Sequence, residues 1–137
     1  MAIVALAAFA VGSVAGPTIF GNTNSINYKP AAETRDFVLF SNVAEFNDTE
    51  VGIPHDQFSP TTLVVNLGDA VTIHFYNTED EPEHHNFVLT AYGISVDLAQ
   101  GEHQDITFTA DKAGVFRFYC AYHLPTMTGQ LLVLPTS

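Results

Sequence analysis

An all-β fold, an antiparallel Greek-key sandwich, is predicted for this chain by three observations. Eleven phenylalanines and five tyrosines stand among 137 residues, and aromatic and β-branched side chains favour strands. Apolar residues recur at every second position over runs of five to seven residues, the period of a half-buried strand. Between these runs stand turn signals such as Gly68-Asp69, Gly101 and Asp111-Lys112-Ala113-Gly114, spaced as in a sandwich. A hydrophobic fraction of 47% at this length supports one core and one domain.

The chain divides into three parts. Residues 1–20 carry no charge, and the first charged residue is Lys29. This stretch is expected to be a secretory signal or a membrane anchor, with Ser13-Val14-Ala15 before Gly16 fitting a small-residue cleavage site. Residues 21–32, rich in asparagine, serine and proline, read as a linker. Residues 33–137 hold the domain, which is thereby placed outside the cytoplasm, with membrane contact only through the N-terminal segment.

Within the domain, Asp36 to Asn42 is a first strand, and Val43 to Ser59 an acidic connection carrying His55, read as a solvated loop histidine or one that covers a functional end. Thr61 to Leu67 turns Leu63, Val65 and Leu67 inward, and Ala70 to Asn77 does the same with Val71, Ile73 and Phe75. His74 falls on the opposite face, with solvent. Thr78 to Glu83 packs four acids before the pair His84 and His85. Asn86 to Thr90 and Ile94 to Leu98 are short strands, His103 lies at an exposed turn, and Gln104 to Ala110 is a further strand. The run Val115 to Cys120 puts Phe116, Phe118 and Cys120 on one inward face. A final apolar strand follows in GQLLVL.

Fifteen acids against four bases give a net charge of −11. Nucleic acid is excluded as a partner, because phosphate binding depends on lysine and arginine. An acidic surface suits either solubility alone or a cationic partner.

One stretch carries chemistry. FYCAYHLPTMTG holds the only cysteine, Cys120, with His123 three residues further on and Met127 after it. A thiolate at a strand end and an imidazole on the following bend can share one ion. Adding a second histidine and a weak thioether makes the trigonal set that suits copper in electron transfer. His85 is the candidate for that second histidine, because it shares a side with Phe87 and Leu89 while His84 lies opposite. Three readings compete: a small buried hydrophobe, a nucleophile paired with His123, and a zinc ligand. The first leaves the accompanying histidines to coincidence, the second lacks an orienting third group, and the third meets a donor set softer than structural zinc prefers.

From about Pro60 to Pro135 the chain resembles the cupredoxins, the plastocyanin and azurin group of type 1 copper proteins. The resemblance rests on VVNLGDAVTIHFYN, the His85-Asn86 pair, GEHQDITFTADKAGVFRFYC and a Cys-x2-His loop closing on Met-x-Gly. It implies a mononuclear copper site with His85, Cys120 and His123 as equatorial ligands, Met127 as the axial candidate and Asn86 as a brace for the cysteine loop. It implies one-electron transfer with a redox protein partner, through an apolar patch of Tyr122, Leu124 and Pro125 around His123. One thiolate is too few for a dinuclear copper centre. The His123 to Met127 interval differs from plastocyanin-like and amicyanin-like loops. That raises the alternative of an open axial position, as in nitrosocyanin-like or purple relatives, where a small molecule such as nitric oxide would be oxidised at copper.

Overall fold

A computed structural model describes residues 30–136, so the expectations for residues 1–20 and for most of the linker lie outside the described residues. Nine strands run in the order β1 (Thr34–Val43), β2 (Asp56–Ser59), β3 (Thr62–Asn66), β4 (Ala70–Tyr76), β5 (His85–Leu89), β6 (Ile94–Leu98), β7 (His103–Thr109), β8 (Gly114–Tyr119) and β9 (Thr128–Leu134). A one-turn helix, α1 (Asp48–Val51), and a 3-10 turn at Thr90–Tyr92 are the helical pieces among the described residues.

The strands form two sheets, ordered β2-β1-β4-β7 and β3-β9-β8-β5-β6. Most neighbours are antiparallel, but β1 pairs parallel with β4 and β3 parallel with β9. The chain changes sheet between β2 and β3, so β1 and β3 each meet a strand that returns much later. Antiparallel order therefore holds for most of the sandwich rather than all of it.

The expected inward residues fill the space between the sheets. Leu63, Val65, Val71, Ile73, Phe75 and Phe118 are all buried, while Leu67 and Phe116 are only partly so. His74 faces out and pairs with Asp105.

The connection from Val43 to Ser59 is where the fold departs from the sequence reading. Asn47 caps α1 by accepting the Thr49 N–H, and Gly52 closes it at φ 78°, a conformation that glycine adopts without penalty. The chain then enters β2, which pairs with β1 from Phe40↔Ser59 to Val43↔Asp56. Its alternation buries Asp56 and Phe58.

Four phenylalanines form the centre of the core. Phe58 lies 5.9 Å from Phe75, 6.2 Å from Phe87 and 5.3 Å from Phe118, and Phe87 lies 5.2 Å from Phe118. These are tilted and edge-on contacts, the favoured geometries for ring pairs. Full burial of each ring is worth about 1.5–3 kcal/mol relative to exposure.

Candidate metal centre

The same phenylalanines position the site. Two residues from Phe87 along β5 is His85, two beyond Phe118 in β8 is Cys120, and two before Phe58 in β2 is Asp56. By the period of two, each polar residue shares a sheet face with its aromatic neighbour. Three strands therefore deliver His85, Cys120 and Asp56 to one end of the core, where they are 0%, 0% and 2% exposed.

His123 joins them from the bend after β8. That bend is closed by two backbone bonds, Met127 N–H to the His123 carbonyl and Cys120 N–H to the Met127 carbonyl, each 2.9 Å. The cysteine loop is braced from β5: Asn86 Oδ1 accepts the Ala121 N–H at 2.7 Å, and the Asn86 N–H points at Cys120 Sγ at 3.4 Å. The expected brace is thus present.

His85 Nδ1 lies 3.1 Å from His123 Nδ1 and 4.0 Å from Cys120 Sγ, and His123 Nδ1 lies 3.5 Å from the sulfur. Bonds of about 2.0–2.3 Å from one ion to nitrogen and sulfur separate the donors by about 3.2–3.8 Å. The three separations of 3.1, 3.5 and 4.0 Å straddle that range, so the triangle is close to the size that one ion needs.

Electrostatics prepare the sulfur. Burial pushes the Cys120 thiol up, but the His123 and His85 rings and the Asn86 N–H more than offset it, bringing it down to about 6. Burial favours neutral His123, yet the Cys120 sulfur and the carboxylates of Asp56 and Glu83 raise it to about 9. At neutral pH the metal-free pair is a thiolate beside an imidazolium.

Met127 is fully buried and packs with the apolar core next to Cys120. The other described histidines do not join the triangle. His55 pairs with Asp48, stands edge-on to Phe46, and precedes Asp56, whose charge it feels. His84 pairs with Asp97 at 2.8 Å, and His103 stacks on Tyr76.

Sequence reading missed the carboxylates beside the histidines. Asp56 Oδ1 is 3.8 Å from His85 Nε2, Asp56 Oδ2 is 3.8 Å from His123 Nε2, and Glu79 Oε1 is 3.3 Å from His85 Nε2. His123 Nε2 bonds Glu83 Oε1 at 2.8 Å. Two members of the acidic run before His84 therefore turn to the histidine rings, although that run was read as solvated or as a guide for partners. The alternation in Asp56-Gln57-Phe58-Ser59 was the available signal, hidden inside a stretch read as loop.

A two-sheet sandwich with a buried cysteine and two histidines at one end defines the class, a copper-binding β domain. Residues 28–133 match the cupredoxin-like domain, and the chain belongs to that family. It is 37% identical over 79 residues to the nitrous-oxide reductase of Pseudomonas fluorescens, covering 53% of this chain and 12% of that protein. To the nitrous-oxide reductase of Stutzerimonas stutzeri it is 32% identical over 84 residues, covering 57% and 13%. The match thus spans about an eighth of each of these relatives. Among solved structures, the copper nitrite reductase of Nitrosomonas europaea aligns with a TM-score of 0.61 at 22% identity, over 76% of this chain and 42% of that one. A multi-copper oxidase of Pseudomonas thermotolerans aligns with a TM-score of 0.61 at 21% identity, over 78% and 31%. At such identities the likeness is one of fold.

Proposed function

We propose that His85, Cys120 and His123 hold one copper ion, with Met127 as the axial ligand, and that the protein transfers single electrons outside the cytoplasm. The observation that carries this reading is the buried triangle of two Nδ1 atoms and one sulfur with a thiol acidified to about 6. Two imidazoles with one thiolate form the trigonal donor set that suits copper in electron transfer. Copper there would supply a Cu(I)/Cu(II) couple. The residues themselves supply rigidity: two strands and a braced bend fix the donors, so little rearrangement accompanies a change of charge.

His123 is the contact point for a partner. Its ring keeps 12% exposure, and beside it Tyr122 and Leu124 are 55% and 41% exposed. This apolar patch on a chain of net charge −11 fits a transient cationic redox protein. Location outside the cytoplasm rests on the apolar residues 1–20. Among the described residues, no helix is long and apolar enough to cross a membrane.

The test is to add Cu(II) to the full chain and record its visible spectrum and voltammetry. An intense copper-thiolate band and a reversible one-electron wave are expected, both lost in Cys120→Ser. A wild-type chain with neither would end the reading. The second reading, a small-molecule oxidation such as that of nitric oxide at an open axial position, rests on the short His123 to Met127 bend, whose methionine packs among apolar neighbours. Met127→Leu conserves volume and should cost under about 1.5 kcal/mol of stability. An altered copper band in that variant supports axial methionine, whereas an unchanged one, with a wild-type response to nitric oxide, supports the open position.

A further inference from the structure

The copper reading uses only the Nδ1 edges of His85 and His123. Their Nε2 edges point the other way, into a group of three carboxylates. Asp56 Oδ1 and His85 Nε2 are both buried and both lack a hydrogen-bond partner, although they are only 3.8 Å apart. Glu79 Oε1 lies 3.3 Å from the same nitrogen without bonding it. The Asp56 side chain is 3% exposed and that of Glu79 13%, so little water reaches either.

Two buried polar atoms without partners are costly, by about 1–3 kcal/mol each. Unpaired buried carboxylate charge is costlier still. The described lysines and arginines supply no compensation, and His123, 3.8 Å from Asp56 Oδ2, supplies only part of it. Among the described residues Arg35 bonds Asp69 and Glu33, Lys112 lies over the Tyr92 ring and Arg117 over Tyr119. His123 is already engaged by Glu83 at 2.8 Å.

The spacing matches an ion better than a direct hydrogen bond. Oxygen and nitrogen donors at about 2.0–2.2 Å in a tetrahedral array sit about 3.3–3.6 Å from one another. The 3.8 Å between His85 Nε2 and Asp56 Oδ1 lies close to that range. Ligand atoms of Asp56, Glu83 and His85 all fall within 4.8 Å of one another. We propose that this pocket is a second metal site, in which Asp56 and Glu83 with His85 Nε2 hold a divalent ion of the zinc type and Glu79, 3.3 Å from the same nitrogen, adds charge beside it.

The two sites differ in chemistry. Sulfur with two imidazoles selects copper, while carboxylates with one imidazole favour a harder divalent ion. His85 serves both, with Nδ1 toward the copper site and Nε2 toward the second. Binding at both edges makes the ring an imidazolate, and the displaced Nε2 proton leaves to solvent. The second ion then offsets carboxylate charge beside the copper ligands, so its binding shifts the copper band and raises the reduction potential.

Zinc titration of the metal-stripped, full-length Cys120→Ser chain tests this separately from copper binding. Calorimetry should find one equivalent of zinc. Adding Asp56→Asn should weaken it by on the order of 100-fold, and adding Glu79→Gln by on the order of 10-fold. Both second substitutions remove charge without changing size, and a thermal midpoint no lower than that of Cys120→Ser confirms folding. In the copper-loaded wild type, zinc should shift the visible band and release a proton while copper stays bound. No zinc uptake by Cys120→Ser, equal affinity with and without Asp56→Asn, or displacement of copper by zinc would each overturn the proposal. A wild-type chain that shows no copper-thiolate band defeats the copper reading alone, since the Cys120→Ser titration does not depend on it.

Discussion

Asp69 and Asp56 are both buried, at 0% and 2% exposure, and their surroundings are opposite. Asp69 sits at the turn before β4. Its two oxygens accept the Glu33 and Asn66 N–H groups at 2.9 and 2.8 Å and the Arg35 Nε–H at 3.1 Å. Burial pushes its carboxyl up, but those donors win and hold it below the usual range. Asp56 has an oxygen with no partner, and burial, opposed by His123, leaves its carboxyl above that range. A satisfied buried charge ties β1 to the turn between β3 and β4. An unsatisfied one is a cost the fold carries for its site, and costs of this kind gather where function is.

The largest test of that contrast is stability. Asp69→Ala leaves buried donors and a guanidinium without their acceptor, and should cost about 3–5 kcal/mol in chemical denaturation of the metal-free protein. Asp56→Asn removes a charge that His123 offsets only in part and should be neutral or stabilising by about 1 kcal/mol. Equal costs for the two substitutions would break the contrast.

Metal binding sharpens it next. With the Cys120 thiol at about 6 and His123 at about 9, copper must displace one proton between those values. Apparent copper affinity should therefore rise about tenfold per pH unit from about pH 6 to 9, and more steeply below 6, where the thiol is also protonated. Asp56 is among the charges that raise His123. In Asp56→Asn the upper end of this window should move to lower pH, whereas Asp69→Asn should leave it in place. Competition against a chelator of known affinity across pH measures both.

The same contrast marks what could be read before the fold was seen. Cys120, His123 and His85 were legible because ligand spacing and strand alternation act over a few residues. The Asn86 brace was implied by family resemblance, and Ala121 N–H is where it lands. Gly68-Asp69 was legible as a turn, but the Asp69 acceptor role was not, since its donors include residues 34 and 36 positions away. Asp56 was hidden for a similar reason. Its strand is four residues long and becomes one only by pairing with β1, and sequence periodicity does not report long-range pairing. The parallel partners of β1 and β3 were out of reach on the same ground.

The smallest expected effect is the sign of the pH dependence of folding. Stability rises with pH wherever the unfolded chain binds more protons than the folded one. Asp69 is lowered on folding, so its contribution is present above the unfolded carboxylate value and is lost as pH falls through its folded value. Asp56 is raised, so the folded chain binds the extra proton, and stability from this residue falls as pH climbs from the unfolded value through the folded one. Subtracting the stability curve of Asp69→Asn from that of wild type should give a difference that grows with pH on the acid limb. The matching subtraction for Asp56→Asn should give a difference that shrinks over the pH range just above it. Two aspartates of equal burial would then bend the same curve in opposite directions, because burial sets only the cost of a charge and the neighbouring donors decide whether it is repaid. Finding the same sign for both would mean that Asp56 gains a partner in solution, and the stability test above would then show a loss for Asp56→Asn.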